Sequence, residues 1–408
     1  MGNVYSLKCR ECGKEYEPQF RYVCEECFGP LDVVYEFHSN IKRETFTSRE
    51  EKTYWRYFEL LPIANKNNIV NLHAGLTPLQ KADRLAKEIG GLKDLFIKND
   101  SVNPTFSFKD RPAGIAVSRA KETRLKAVGC ASTGNLASAT AAHAAVAELP
   151  CYIFAPSDIE HVKIAQALSY GAEFVAVDGT YDDANRIASI IGDSKGIGIV
   201  NINMRPYYVE GSKTLAYEVA EQLNWQVPDN LVIPVGSGAM LNAICKGFEE
   251  LNKLGLVKDE IDFKVTAAQA HGCAPIVDAF KKKNDEVIPV ERPETIAKSL
   301  AIGDPGDGLY VLKRLKQYNG IAEEVTDEEI IDGILMLAKT EGIFTEPAGG
   351  VSIAVLKKLV EEGKIDKDER IVCYITGNGL KATESIINVL PKLRTVKPDI
   401  RAVSSIIR

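Results

Sequence analysis

The chain of 408 residues lacks any apolar run close to the roughly 18 residues that a bilayer-spanning helix needs. It also lacks an excess of basic residues, because 50 lysines and arginines face 56 aspartates and glutamates, a formal net charge of −6. This balance argues against a protein whose whole surface binds nucleic acid. No signal-peptide pattern opens the sequence. We therefore expect a cytoplasmic protein that binds neither a membrane nor nucleic acid.

Histidine is scarce, and none of the five histidines sits in a recognisable catalytic or metal-binding motif.

The nine cysteines do not form a disulfide framework, since their number is odd and five of them stand singly. Those five are predicted to be buried thiols in a reducing compartment. They are Cys130, Cys151, Cys245, Cys273 and Cys373.

The other four cysteines form two CxxC pairs, Cys9 with Cys12 and Cys24 with Cys27, with 11 residues between the pairs. Each CxxC turn directs two thiolates to one point, and two such turns complete a closed tetrahedral zinc site. A closed site leaves no position for a catalytic water, so we expect a structural zinc in a zinc ribbon over residues 1–38. A ribbon without metal, or one that recruits a partner, stays an open alternative.

After residue 90, short apolar strands alternate with helices, for example at residues 126–130, 151–155 and 371–375. This alternation indicates parallel sheets covered by helices on both faces. We predict two three-layer α/β domains, over residues 39–220 and 221–408, with a cleft between them. A helix is also predicted within residues 41–70, ending near Pro62. Ligands of such sheets bind beyond the carboxyl ends of the strands.

Four loops at predicted strand ends or helix starts carry groups suited to chemistry: residues 103–111, 132–135, 236–239 and 376–379. The first presents Lys109 at the start of a helix, where the helix dipole and Arg111 would lower its proton affinity and favour nucleophilic attack. The second offers backbone N–H groups for a carboxylate, and the third has glycines that let N–H groups surround a phosphate. The fourth ends a strand with the neutral hydroxyl of Thr376. Each loop alone is weak evidence.

In their order, the four loops resemble those of the tryptophan-synthase-type (fold type II) pyridoxal-phosphate enzymes. Three segments are similar to the threonine synthase family in particular: SFKDR at 107–111, RPYYVEGSKT at 205–214 and TEPAGG at 345–350. The two CxxC pairs resemble those of archaeal members. The resemblance implies the fold type II architecture of two three-layer α/β domains, preceded here by the zinc ribbon.

The resemblance also implies roles for individual residues around pyridoxal 5'-phosphate. Lys109 is implied to form a Schiff base with the cofactor and to move protons on the substrate. Asn135 is implied to hydrogen-bond the phenolic oxygen, and Thr376 is implied to meet the pyridine nitrogen. The cofactor's phosphate is implied to lie among Gly236, Ser237, Gly238 and Ala239.

The substrate is implied to bind through its two acidic ends. Its carboxylate is assigned to Ser132 and Thr133, and its phosphate to Ser107, Asn203, Arg205 and Lys213. Two positions on the substrate side depart from the family pattern. Phe106 stands where many members have a small residue, and Leu136 stands where many have a hydroxyl residue. These departures leave the cofactor residues intact but obscure which leaving group and acceptor the pocket prefers.

The implied reaction is that of a carbon–oxygen lyase acting on a phosphate ester: O-phosphohomoserine and water give threonine and phosphate. Cysteate synthase, which would use O-phosphoserine and sulfite, is the close alternative, and a threonine or serine dehydratase is a more distant one. A ribbon-bearing adapter with an inactive enzyme body is an alternative of a different class. The resemblance further implies a homodimer.

Overall fold

A computed structural model describes residues 4–37, 40–132, 134–157, 161–257, 261–404 and 406–407. The strands are β1 Val4–Cys9, β2 Glu15–Tyr16, β3 Leu31–Tyr35, β4 Leu79–Lys81, β5 Asp94–Asn99, β6 Ala127–Ala131, β7 Cys151–Pro156, β8 Glu173–Val177, β9 Ile197–Ile199, β10 Asn230–Pro234, β11 Lys264–Ala270, β12 Ile321–Val325 and β13 Arg370–Ile375. The α-helices are α1 Arg43–Thr47, α2 Asp83–Glu88, α3 Asp110–Glu122, α4 Asn135–Val146, α5 His161–Ser169, α6 Tyr181–Lys195, α7 Arg205–Ser212, α8 Thr214–Gln222, α9 Ala239–Lys253, α10 Pro275–Lys281, α11 Gly308–Gln317, α12 Asp327–Glu341, α13 Pro347–Glu361 and α14 Ile400–Ser404.

Two sheets form the body of the protein. The strand order is β8-β7-β6-β9 in the four-stranded sheet and β12-β11-β10-β13-β5-β4 in the six-stranded sheet. All pairs are parallel except β4 with β5. Strands β6 and β10 are buried at every position, as expected for parallel strands covered on both faces. The predicted α/β class is therefore confirmed.

The predicted boundary at residue 220 needs correction, because β4 and β5 belong to the six-stranded sheet with β10 to β13. Strand β5 pairs with β13 over six residues, from Asp94 opposite Arg370 to Asn99 opposite Ile375. Residues 79–99 therefore fold with the second half of the chain. Sequence periodicity identifies a strand but not its partner, which depends on contacts between distant segments.

The N-terminal segment forms a small antiparallel sheet of order β2-β1-β3. Its apolar side packs on the body, since Leu7, Leu31 and Val33 share a buried cluster with Tyr54 and Ile115. The N-terminal sheet is therefore packed against the body of the protein. The predicted boundary at residue 38 lies outside the described residues.

The helix expected within residues 41–70 is replaced by two shorter elements, α1 and a 3₁₀-helix at Tyr54–Leu60. The backbone leaves helical geometry at Tyr57, which divides the second element. Trp55 and Phe58 face the cluster beneath the N-terminal sheet, whereas Tyr57 faces the core around α8 and α9. A regular α-helix has one apolar face, so it would not bury these aromatic rings in two cores.

Other local predictions are confirmed. The residues Thr326-Asp327-Glu328-Glu329 match the sequence pattern of a capping box, and Thr326 and Glu329 form one at the start of α12. The five single cysteines are free and buried, and burial raises the pKa of the Cys130 thiol to about 12. Across the described residues, we find no helix with both the length and the apolar composition to cross a membrane.

Candidate active site

Lys109 lies immediately before α3, so the predicted position at a helix start is confirmed. Its Nζ donates a hydrogen bond to the Tyr208 hydroxyl at 2.8 Å and lies 4.8 Å from the centre of the Phe108 ring. Among the described residues it has no carboxylate partner. An amine held by a hydroxyl instead of an acid remains available to react with an aldehyde.

Arg111 does not perform the predicted role of tuning Lys109. Its guanidinium is fully buried and binds Asp100 and Glu218. Asp100 accepts from Nε at 2.6 Å and from Nη2 at 2.9 Å, and Glu218 Oε2 accepts from Nη2 at 2.8 Å. Because two carboxylates neutralise the arginine, it exerts little field on Lys109. Arg111 instead fastens α3 to α8.

The loop that carries Lys109 is held by Asp110 and by the loop after β13. The Asp110 carboxylate accepts from the Thr105 N–H at 2.8 Å and from its hydroxyl at 2.9 Å. The Phe108 N–H donates to the Thr376 carbonyl at 2.9 Å, and the Asn378 N–H donates to the Phe106 carbonyl at 3.0 Å. Two of the four predicted loops therefore lie together.

Phe106 adopts a left-handed backbone conformation with φ of +65°. Residues with a Cβ lose about 1–2 kcal/mol in this conformation, and glycine does not. Its side chain is 47% exposed, so little packing offsets this cost. A glycine at this position would adopt the same backbone conformation without that cost.

A buried carboxylate that the sequence analysis did not assign, Glu346, connects two predicted cofactor residues. Asn135 Nδ2 donates to Glu346 Oε2 at 2.9 Å, and the Thr376 hydroxyl donates to Oε1 at 3.4 Å. Burial raises the pKa of Glu346 above its ordinary value, and the two hydrogen bonds from Asn135 and Thr376 oppose that rise. Gly377 is required beside it, since a Cβ there would lie 2.4–2.7 Å from the carboxyl atoms.

The segment 236–239 lies between β10 and α9, as predicted. Gly238 precedes the helix with φ of +92°, and a Cβ there would lie 2.7 Å from Val311. The first N–H groups of a helix have no partners within the helix, and they form a site for an anion. The geometry suits a phosphate, which is the role predicted for this loop.

Three residues assigned to the substrate have other partners. Lys213 is fully buried, with Nζ 2.6 Å from Glu210 and 2.9 Å from Glu250. The Asn203 side chain binds the backbone of the turn before α7. It accepts a hydrogen bond from the Ile199 N–H at 2.8 Å and donates one to the Ile197 carbonyl at 3.0 Å. We therefore no longer assign Lys213 and Asn203 to the residues that bind the substrate's phosphate. Ser132 Oγ accepts from the Gly134 N–H at 3.4 Å, and Thr133 lies outside the described residues.

Ser107 and Arg205 retain free donors. The Ser107 hydroxyl is fully buried and has no partner within the described residues. A buried hydroxyl without a partner is unfavourable unless a ligand or water satisfies it. Arg205 uses Nη2 to bind Asp307, and in the described part of the chain its Nε and Nη1 have no partner. Both side chains are thus available for an anion.

Comparison with known proteins identifies the family. Residues 70–377 match the family described as pyridoxal-phosphate dependent enzyme. A threonine synthase from Methanocaldococcus jannaschii is 42% identical over 406 residues, 98% of this chain and 99% of that protein. One from Methanosarcina acetivorans is 40% identical over 403 residues, 98% of each chain. The chain belongs to the threonine synthase family of pyridoxal-phosphate-dependent enzymes. The family resemblance that the four loops and the three segments indicated is confirmed.

Solved structures of more distant proteins share the fold. The processed form of threonine deaminase isoform 2 from Solanum lycopersicum superposes with a TM-score of 0.64 at 23% identity, covering 76% of this chain and 82% of that chain. Maize serine racemase gives a TM-score of 0.63 at 20% identity, covering 77% and 92%. At this identity the likeness concerns the architecture alone, and it confirms the fold type II prediction.

The residues present fit the cofactor of this family. Lys109 supplies an amine that has no carboxylate partner in the described residues, and the helix N-terminus behind Gly238 supplies N–H groups, so the site offers groups for an aldehyde and for a phosphate. Tyr208 and Glu346 are the functional candidates that sequence reasoning missed. Both lie within the quoted segments 205–214 and 345–350, but their contacts with Lys109 and Thr376 join residues far apart in the chain.

Four thiols meet in the N-terminal sheet. The Sγ atoms of Cys9, Cys12, Cys24 and Cys27 all lie within 4.8 Å of one another. Cys9 Sγ is 3.4 Å from Cys27 Sγ, and Cys12 Sγ is 3.5 Å from Cys24 Sγ. Zinc–sulfur bonds of about 2.3 Å in a tetrahedron place the sulfurs about 3.8 Å apart, so the cluster has the dimensions of a zinc site.

Proposed function

We propose that this chain is a threonine synthase that converts O-phosphohomoserine and water to threonine and phosphate. The observation that carries the proposal is the amine of Lys109, free of any acid in the described residues, at the start of α3 and against the loop of Thr376. Identity of 42% to a threonine synthase along 98% of the chain supports the reaction. The substrate is a small phosphorylated amino acid.

Lys109 and Tyr208 handle the protons of this reaction. When bound, pyridoxal phosphate supplies an electron sink for negative charge at the carbon that carries the substrate's amino group. Lys109 Nζ would take the proton from that carbon, release it through the Tyr208 hydroxyl and then take one from the neighbouring carbon. Once phosphate has left and water has added, protons return to the carbon that lost the phosphate and to the carbon that carries the amino group. The Tyr208 hydroxyl, 2.8 Å from Nζ, orients the amine and exchanges a proton with it.

The polar groups around Lys109 hold the two ligands. Thr376 and Asn135 would hold the ring of the cofactor, and Glu346, which accepts a hydrogen bond from each, sets the direction of both side chains. A hydroxyl at Thr376 does not protonate the pyridine nitrogen fully, which moderates the electron demand of the ring. The N–H groups at 236–239 bind the cofactor's phosphate, and the N-terminus of α4 with Ser132 and Thr133 binds the substrate's carboxylate.

The substrate's phosphate binds Arg205 and Ser107. Arg205 has two donor groups without partners in the described residues, and a guanidinium forms strong charge-assisted bonds to phosphate. The buried Ser107 hydroxyl adds a neutral donor. The departing phosphate remains held by these groups while water adds to the substrate.

Product analysis tests the proposed function. We expect the purified holoenzyme to release threonine from O-phosphohomoserine, with no change on addition of sulfite. O-phosphoserine should react poorly, but one methylene contributes only about 1–3 kcal/mol to discrimination, so the product is more decisive than the rate. Cysteate from O-phosphoserine and sulfite, without threonine from O-phosphohomoserine, would establish cysteate synthase instead.

We further propose that the four clustered cysteines hold one structural zinc. The Tyr16 hydroxyl lies 3.0 Å from Cys24 Sγ, and the Glu26 N–H donates to the same sulfur at 3.4 Å, contacts that stabilise a thiolate. Four thiolates close the site to water, so the metal stabilises the N-terminal sheet. A homodimer and a cytoplasmic location stay predictions.

Metal analysis checks this proposal. We expect one zinc per chain in the purified protein and none in a Cys24→Ser, Cys27→Ser variant, whose residues 4–35 should lose protection from hydrogen exchange before the body does. Cys151→Ala, which removes a buried thiol of β7, is the matched control and should retain the metal. Stoichiometric zinc in the double variant would refute the assignment.

A further inference from the structure

Arg10 projects from the turn between Cys9 and Cys12 onto the body of the enzyme. It binds Asp32 through two hydrogen bonds, Nε to Oδ2 at 2.6 Å and Nη2 to Oδ1 at 2.7 Å. Its Nη1 donates to Asp307 Oδ1 at 3.0 Å, and its guanidinium lies 4.7 Å from the centre of the Tyr310 ring. The neighbouring Glu11 accepts from the Tyr310 hydroxyl at 2.5 Å. The cysteine turn is thus fastened to α11.

Asp307 is the point where the N-terminal sheet meets the substrate side of the site. Its carboxylate is 1% exposed, and it binds Arg10 through Oδ1 and Arg205 through Oδ2. Its backbone N–H donates to the Ser237 carbonyl at 3.0 Å. One buried aspartate therefore contacts the cysteine turn, the proposed ligand of the substrate's phosphate, and the loop proposed for the cofactor's phosphate.

The charges of this cluster balance only while Arg10 is present. The cluster consists of two arginines, Arg10 and Arg205, and two aspartates, Asp32 and Asp307. Without Arg10, two carboxylates would face the single guanidinium of Arg205, a net charge of −1. A partly buried negative charge repels a phosphate dianion and holds Arg205 more tightly.

We propose that Arg10 is a positioning residue for the substrate's phosphate and acts through Asp307 on Arg205. This inference rests on the proposed function, since it takes the phosphate of the substrate as the ligand of Arg205. Arg10 neutralises Asp307, and Arg205 then presents Nε and Nη1 to the phosphate. The metal at the cysteines holds the turn that carries Arg10, so metal binding in the N-terminal sheet controls the affinity for a phosphorylated substrate.

Steady-state kinetics of holoenzyme variants test the coupling. Arg10→Met removes the charge and retains the aliphatic length, and we expect KM for O-phosphohomoserine to rise roughly tenfold with kcat unchanged, the pattern of a lost binding contact. Arg10→Lys should restore part of the affinity. The matched control is Arg21→Met, because Arg21 is also in the N-terminal segment but pairs with Glu25. Zinc content is measured in every variant.

A double-mutant cycle shows whether Arg10 acts through Arg205. Arg205→Met alone should raise KM by roughly 10–100-fold through loss of charge-assisted bonds. Adding Arg10→Met to it should then have no further effect. The Cys24→Ser, Cys27→Ser variant should raise KM as Arg10→Met does. An Arg10→Met enzyme with intact zinc and unchanged KM, or an undiminished effect of Arg10→Met in the Arg205→Met background, would overturn the inference.

Binding of inorganic phosphate separates this inference from the proposed function. Calorimetry on the holoenzyme should give a dissociation constant for phosphate roughly tenfold higher in Arg10→Met than in the wild type. If the wild type forms no threonine, the proposed function fails, while the shift in phosphate affinity still supports the inference. Threonine formation with equal phosphate affinities in the two proteins would refute the inference alone.

Discussion

Replacement of Lys109 by alanine removes the absorption of the covalently bound cofactor and lowers turnover by about 10²–10⁴-fold or more. Among the described residues, Lys109 Nζ is the amine that donates to the Tyr208 hydroxyl, and the variant would lack both the proposed nucleophile and the proposed base. The fold should survive, because Lys109 forms no ion pair in the described residues and the loop is held by Asp110. Absorption spectra measure the bound cofactor, turnover measures the activity, and thermal unfolding measures the stability of the fold.

Borohydride reduction followed by peptide mapping locates the anchor directly. In the wild type the adduct should appear on the peptide that contains Lys109. Lys93→Ala, which removes a lysine with a 73% exposed side chain, is the control and should behave as the wild type. Lys381 is a second amine near this loop, since its Nζ donates to the Thr105 carbonyl at 2.9 Å. A reducible adduct on Lys381 in the Lys109→Ala protein would contradict the assignment.

Replacement of Glu218 by alanine lowers the free energy of unfolding by about 3–5 kcal/mol. Glu218 is fully buried and binds two buried cations, Lys98 at 2.6 Å and Arg111 at 2.8 Å. Among the described residues, removal of the carboxylate leaves Lys98 without an acidic partner and Arg111 with Asp100 as its single acidic partner. Denaturant unfolding measures the loss. Glu361→Ala, on the surface with a 62% exposed side chain, is the control and should cost about 1 kcal/mol or less.

The same carboxylate gives the stability a pH dependence. Burial alone would raise its pKa, but the charges of Arg111 and Lys98 prevail and hold the pKa of Glu218 at about 2, below the ordinary 4.5. Because the folded-state pKa is lowered, the stabilisation is complete above pH 4.5 and disappears as the pH falls toward 2. Glu218→Gln should lose less stability than the wild type over this interval. Parallel losses in both proteins would contradict the argument.

Local patterns predict much of the site. The start of α3 after Lys109, the glycine turn before α9 and the capping box at Thr326 all occur where the sequence places them. These features depend on backbone conformation and on hydrogen bonds between residues within a few positions of one another. The paired CxxC turns belong to the same class, and their sulfurs do converge.

The errors concern charged side chains and strand partners. The sequence places Arg111 beside Lys109 and Lys213 among the substrate residues, but both side chains are buried in ion pairs that include a carboxylate from another helix, Glu218 for Arg111 and Glu250 for Lys213. Glu346 had no predicted role, although it links Asn135 with Thr376. A segment pattern does not specify which way a long side chain points, because the partners that neutralise a buried charge come from elsewhere in the fold.

The sequence by itself determined the class of fold, the lysine, the glycine loop and the four thiols, since each is a local arrangement that backbone geometry or ligand spacing enforces. Only the tertiary structure decided which charges meet. Arg205 and Asp307 are 102 positions apart, and Arg10 and Asp307 are 297 apart. Burial excludes water from these groups and makes each depend on its partners, so the proposed link between the cysteine turn and the substrate's phosphate requires the folded chain.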